Sequence, residues 1–282
     1  MSTHPSDSSG PSRRSVTAGA MWSVPVVGAA VAAPLAAAST VPCTSTTMFT
    51  QSVVSATNPL TLSATSPTGT TSTIRVTSIL AADTTTTPTT DSRNFNLTQN
   101  GRVWFAGGTD REAYEMPEDF FGPGLLILNQ RRAGPVSTTN AVTTEVPTPG
   151  SDSQTLIFEF FDADGKPFDP VDVQLTFLNI LSDAAKPGLY WALKSWTTVG
   201  FSVAPTSISS SGGNAGVGAG TIADPFRRAT ADERAFTPTP RYDTFSFRSL
   251  PSGSSLVYSQ FGGFQGWHNS AITGLGFRTS DC

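Results

Sequence analysis

The residues able to do chemistry are few. Histidine occurs twice, at His4 and His268, and His4 falls in a segment read below as a removable leader. Ser-His-Asp catalysis would therefore rest on His268, set in Gly262-Gly263-Phe264-Gln265-Gly266-Trp267-His268-Asn269-Ser270. No G-x-S-x-G elbow follows the leader to present an activated serine. A histidine beside a tryptophan in a Gly-rich stretch reads as an exposed loop residue. A zinc site needs three or four His, Cys or carboxylate ligands, and the only two cysteines, Cys43 and Cys282, are better spent on each other.

Carboxylates are the remaining source of acid–base chemistry. Glu112, Glu115, Glu118 and Asp119 cluster after Trp104, and Glu159 lies inside the apolar run Leu156-Ile157-Phe158-Glu159-Phe160-Phe161. A Glu aimed from a strand into a cleft would be a raised-pKa acid, and with one of Glu112, Glu115 or Glu118 it would make a glycosidase pair. The competing reading has Glu159 alternating outward into solvent. Asp162-Ala163-Asp164-Gly165-Lys166 begins like a calcium loop, but Gly165 comes early and Lys166 stands where an oxygen ligand belongs. It reads as an Asp-Gly hairpin turn, with Asp162, Asp164, Asp169 and Asp172 kept as a calcium candidate. Gly216-x-Gly218-x-Gly220 imitates a phosphate cradle, yet no helix pattern follows it to supply amide donors. The residues call for no cofactor. Glycan stacking would use exposed aromatics, and Tyr190, Trp191 and Trp267 are the candidates, with Trp104 and Trp196 behind them.

The elements that must position these residues read as strands. Period-two alternation recurs and period 3.6 hardly appears. Val171–Phe177, Thr197–Val203 and Phe245/Phe247 alternate cleanly; Leu156–Phe161 and Gly124–Leu128 are denser and read as strands buried on both faces. Ile74–Ile79, Phe95–Leu97, Val103–Phe105, Leu256–Tyr258 and Ile272–Phe277 complete the set. Short helical turns are expected only around Asp110–Met116, Ser182–Lys186 and Ala229–Ala235. The fold class is all-β, an antiparallel β-sandwich of the jelly-roll or Ig-like kind with little helix. The Thr-rich stretch Thr84–Thr90 could link two domains, but reads better as a polar loop of one sandwich; Ser209–Gly220 reads as a second flexible segment.

The N-terminus reads as an address. Arg13-Arg14 precede the mild apolar run Ala18–Leu35, and Ala36-Ala37-Ala38 supplies small residues for cleavage before Ser39. This is the layout of a secretory signal, and the paired arginines point to twin-arginine export. Residues 1–38 are then a cleaved leader and 39–282 a single sandwich domain, secreted or on the cell surface. Cys43 and Cys282 would pair in an oxidising compartment and tie the first strand to the last.

Composition narrows the partners. Charged residues are 13% of the chain, about half the ~25% usual for soluble domains, and the formal net charge of −4 opposes nucleic-acid binding, which needs a basic surface. No second apolar run reaches the ~20 residues of a membrane span. Thr, β-branched with a polar tip, suits the solvent faces of strands.

Arg13-Arg14, Ala20-Met21-Trp22-Ser23-Val24-Pro25-Val26 and the Ala-rich run to Ala38 resemble the leader of a group of twin-arginine-exported surface proteins of actinobacteria. Thr176–Asp183, Phe201–Thr206 and Gly218–Arg227 are similar to the secreted β-sandwich region of that group. Its first segment often carries Asp-Ile-Asp where this chain has Asn179-Ile180-Leu181. The resemblance implies export and a sandwich, and carries no activity over to this chain. The expected protein is thus a non-catalytic surface sandwich with a structural or adhesive role. Its partner would be a surface glycan, a protein or further copies of itself. A carbohydrate-binding module is the first alternative and a glycosidase the second.

Overall fold

The computed structural model describes residues 44–47, 58–87, 96–99, 104–107, 112–115, 125–132, 152–178, 180, 182–183, 195–212, 215–230, 241–262 and 268–278. All lie in one compact unit, Cys43–Cys282. No helix occurs among them, so none is long and apolar enough to cross a membrane. Eighteen strands do: β1 (Thr44–Thr47), β2 (Leu60–Thr65), β3 (Thr71–Leu80), β4 (Thr84–Thr85), β5 (Thr98–Gln99), β6 (Trp104–Gly107), β7 (Glu112–Glu115), β8 (Leu126–Arg132) and β9 (Asp152–Phe161). The chain continues with β10 (Val171–Leu178), β11 (Ser182–Asp183), β12 (Ser195–Phe201), β13 (Ser207–Ser211), β14 (Gly216–Val217), β15 (Arg227–Arg228), β16 (Tyr242–Ser249), β17 (Ser254–Gly262) and β18 (His268–Arg278).

Fourteen strands share one hydrogen-bonded path, β11-β12-β17-β9-β3-β2-β1-β18-β10-β16-β13, with β8 joined to β18 and carrying β4 and β5. The pairings along it are antiparallel. The path folds over so that its two halves face each other as the layers of an antiparallel β-sandwich. Ring contacts mark the meeting: Phe160 of β9 lies edge-on to Phe277 of β18, centroids 5.7 Å apart. Phe201 of β12 packs on Phe245 and Phe247 of β16 at 5.0 and 4.8 Å. Edge-to-face geometry sets the positive ring edge against a negative ring face, which adds to the burial of area.

Alternation explains the layers. Leu60, Leu62 and Ala64 of β2 point inward while Thr61, Ser63 and Thr65 face out. Val173, Leu175 and Phe177 of β10 join the same core as Leu156, Phe158 and Phe160 of β9. A side-chain period of two makes this register hard to slip, because a one-residue shift would send every inward ring to water.

Five expectations change. Leu156–Phe161 is buried on one face only: Ile157, Glu159 and Phe161 are half-buried on the other. There Arg75, opposite Glu159, lays its guanidinium 5.3 Å from the Phe161 ring centre and covers it. Leu126, Ile127 and Leu128 of β8, by contrast, are all buried, with Ile127 in a second cluster with Leu125, Leu178 and Ala271. The turns expected within Asp110–Met116 and Ser182–Lys186 are strands β7 and β11, since short segments without an apolar stripe gain more from pairing than from a helix nucleus. Thr84-Thr85 is strand β4 rather than linker or loop, with Thr84 buried and its Oγ1 accepting from the Ser153 amide at 2.9 Å. Ser209–Ser211, the start of the segment expected to be flexible, completes strand β13.

Candidate functional site

Among the described residues, Glu159 and the expected aspartates are engaged in separate contacts. Glu159 accepts two charge-assisted hydrogen bonds from Arg75, both at 2.7 Å, across the β3–β9 ladder. The guanidinium holds its carboxyl below the ordinary range, the opposite of what a general acid requires. Asp162 closes the turn after β9, its Oδ1 accepting from the amides of Asp164 and Lys166 at 2.9 and 2.8 Å. Gly165 sits there at φ 76°, as an Asp-Gly turn needs. Asp169 caps the Ser252 amide at 2.9 Å, and Asp172 pairs with Arg278. These four aspartates therefore do not converge, and the described residues hold no group of three or more acids, histidines or cysteines suited to a metal.

Other candidates are placed only in part. Glu112 and Glu115 lie on β7, which pairs with β6, Glu115 opposite Trp104. His268 opens β18 opposite Gln130, where a loop was expected. Trp196 is buried, so it is no glycan platform. Glu118, Asp119, Tyr190, Trp191, Trp267, Cys43, Cys282, Arg13, Arg14, Ala38 and Ser39 lie outside the described residues.

The glycines at 216, 218 and 220 serve close packing. A Cβ on Gly216 would meet the Phe226 ring at 2.1 Å, and Gly218 sits at φ 97° against the Pro225 carbonyl. The Asp224 carboxylate accepts from the Ala219 amide at 2.8 Å, so the chain's own acid occupies the loop that resembled a phosphate cradle.

The most concentrated charge was not anticipated. Arg228 of β15 and Asp243 of β16 are both fully buried and joined at 2.5 Å. The Arg228 Nε donates to the Ile180 carbonyl at 3.0 Å, and its guanidinium lies 5.8 Å from the Phe226 ring centre. Ser210 of β13 donates to the second Asp243 oxygen at 2.6 Å. Burial pushes the Asp243 carboxyl above its ordinary range, and the Ser210 hydroxyl and Arg228 charge offset only part of that push. The cluster is a tie: it fixes the segment carrying Arg228 and the strand carrying Ser210 to β16.

A second polar group lies inside the sandwich. Gln154 donates to Ser78 Oγ and Asn96 Oδ1, both at 2.8 Å, and Gln260 donates to Thr197 Oγ1 at 2.7 Å and the Tyr258 hydroxyl at 2.6 Å. Amides and hydroxyls of this kind hold strands in register and carry no proton-transfer chemistry at neutral pH. Burial also drives the Tyr258 phenol far upward, so it stays neutral.

Two edges of the sheet differ, one near each end of the path. The outer edge of β12 is sealed. β11 pairs with Ser195 and Trp196, Phe226 exchanges amide and carbonyl with Val199 at 3.0 and 2.8 Å, and Phe201 bonds Gly220 and Ile222 at 2.9 and 3.0 Å. At the opposite end β13 pairs on one side with β16, and no strand among the described residues pairs with its other side. Its five residues, Ser207-Ile208-Ser209-Ser210-Ser211, carry no charge and no proline. Ser207, Ser209 and Ser211 are exposed. Natural edges are usually blunted by Lys, Pro or a bulge, so β13 offers the backbone donors and acceptors that an added strand would use.

No protein-family model, no curated protein and no solved structure matches this chain. Functional argument therefore rests on its own residues and geometry.

Proposed function

We propose that the chain is exported by the twin-arginine route, cleaved after Ala38 and closed by a Cys43–Cys282 disulfide. On the cell surface or in the medium it acts as a non-catalytic structural or adhesive sandwich that joins a protein partner, or its own copies, through the β13 edge. The carrying observation is the contrast between two edges, an uncharged β13 at one end of the sheet path and, near the other, a β12 whose outer edge is covered by β11 and the 216–228 segment. Sealing one edge while leaving the other uncharged is what strand addition at a single site requires. The disulfide draws support from the backbone register, in which Thr44, next to Cys43, stands opposite Arg278, four residues from Cys282.

The test compares the secreted chain with a Ser207→Lys/Ser209→Lys variant by light scattering and negative-stain microscopy. Both side chains point to solvent, so the fold tolerates the change while charge at the edge opposes strand addition. Wild-type assemblies that disperse in the variant support the reading. If both proteins are dispersed monomers, β13 does not serve self-assembly. Binding to a glycan array would then favour the carbohydrate-binding alternative.

A further inference from the structure

β1 lies between β18 and β2 in the sheet path, yet its own residues give it little hold on the core. Thr44-Ser45-Thr46-Thr47 has no apolar side chain to give the core. Its one described side chain, Ser45, is fully buried, and its hydroxyl finds no hydrogen-bond partner among the described residues. A buried hydroxyl left without a partner loses its hydration and gains nothing in return, so it weakens the strand's hold. β1 is held on one side by four paired residues of β18, Leu275 to Arg278, and on the other by a single pair, Thr46 with Thr65 of β2. The described contacts that hold it are these backbone pairings, and any strand of the same length and register could supply them.

β1 also stands at the N-terminal limit of the compact unit, which starts at Cys43, so it can leave without displacing another described strand. Twelve residues, Met48 to Pro59, separate it from β2. Fully extended, a stretch of that length reaches roughly 40 Å, enough to carry β1 to a neighbouring molecule.

We propose that β1 is an exchangeable strand, with Thr44–Thr47 of one copy filling the slot between β2 and β18 of a second copy. The partner is a second copy because the slot's register is already satisfied by this sequence, so every hydrogen bond kept within one chain is recovered between two. Exchange of an identical element is a low-cost route to oligomers for that reason. The closed monomer has the advantage of holding its own strand at a high effective concentration, so exchange belongs to conditions in which many copies fold close together. The inference is independent of β13, which lies at the far end of the sheet path. If Cys43 pairs with Cys282, exchange turns that bond into a link between molecules.

Mixing two single-cysteine variants tests this. Cys43→Ser and Cys282→Ser chains are unfolded together and refolded at high concentration. Oxidised glutathione in the buffer accepts the two protons and two electrons released as each disulfide forms. Exchange places Cys43 of one variant beside Cys282 of the other, so the heterodimer dominates the covalent species on a non-reducing gel. Heterodimer no more abundant than the two homodimers overturns the proposal. Should the serine variants fold poorly, the native chain is refolded under reducing conditions over a concentration series and sized by light scattering. A dimer fraction that rises with refolding concentration and persists on dilution supports exchange, because a trapped strand separates only by unfolding. Monomer throughout overturns it. A Ser207→Lys/Ser209→Lys background leaves exchange intact and abolishes pairing through β13, so the two modes of association are told apart.

Discussion

Arg228 and Asp243 hold opposite charges with no access to water, and neither is tolerable alone. Removing one partner of such a pair costs about 3–5 kcal/mol, since it leaves an uncompensated buried charge. Asp243→Asn is therefore expected to lower unfolding free energy by about that amount, and Arg228→Met/Asp243→Leu to recover most of it. Urea unfolding at neutral pH measures both, and an unchanged Asp243→Asn midpoint would show that Arg228 finds water. The two perturbed carboxylates give opposite pH signatures. Asp243 titrates above its ordinary 3.8 in the folded state. The native chain then holds the proton more tightly, and this group's contribution to stability falls as pH rises from 3.8 through the folded value. Glu159 titrates below its ordinary 4.5, so its contribution is present above 4.5 and is lost as pH falls through the folded value. Glu159→Gln should remove the second component, and only a small one, because the Arg75 pair is open to solvent. Part of this was legible in the sequence. Tyr242-Asp243-Thr244-Phe245-Ser246-Phe247 alternates, which puts Asp243 on the face of Phe245 and Phe247, and a charge on a core face demands a partner. Which cation answers it was not legible, because Arg228 reaches Asp243 only through the path of the 215–230 segment.

At the scale of elements, the segment from Gly216 to Arg228 closes the β12 edge, and Gly200 is where it comes nearest. A Cβ at Gly200 would stand 2.6 Å from the Thr221 carbonyl oxygen, a backbone atom that cannot move aside without lifting the segment. Gly200→Ala should therefore open the edge while leaving the Phe-rich core in place. Hydrogen exchange reads this directly. The Val199 and Phe201 amides, bonded to Phe226 and Gly220, should lose protection, whereas the Phe160 amide, bonded to Ser252 Oγ at 3.0 Å, should keep it. Unchanged exchange at all three would show that the segment yields without detaching. Strands with period-two apolar residues, such as Val171–Leu178, could be read from sequence because their burial depends on their own side chains. β1, β4 and β13 could not. They are Thr- and Ser-rich, and what makes them strands is the edge each pairs with: β18 and β2 for β1, β8 for β4, β16 for β13. That pairing is nonlocal and leaves no apolar trace. The glycines at 216, 218 and 220 were misleading for a related reason, since spacing that suits a phosphate also suits a backbone pressed against Phe226 and Pro225.

For the molecule as a whole, one core cluster draws on both layers, from Leu60 of β2 and Leu156 of β9 to Phe245 of β16 and Phe277 of β18. Layers that share a core cannot unfold one at a time, because parting them exposes the Phe160–Phe277 and Phe201–Phe247 contacts on both sides at once. Denaturation should then follow a single transition seen identically by tryptophan fluorescence and far-UV dichroism. The proposed Cys43–Cys282 disulfide would act on the other side of the equilibrium. Closing a loop of this length restricts the unfolded chain, with a ceiling of roughly 5 kcal/mol in the chain-entropy account. Reduction should shift the transition to lower denaturant by no more than that and leave it single. The loss should first appear at the strand nearest the link. β1 depends on backbone bonds to β18, so the amides of Leu275 to Arg278 should gain exchange before those of Val173 to Phe177 on β10, which apolar side chains hold in the core. Two separated transitions on reduction would mean that the layers are tied by the disulfide rather than by their common core. Unchanged stability would mean that no Cys43–Cys282 disulfide constrains the unfolded chain.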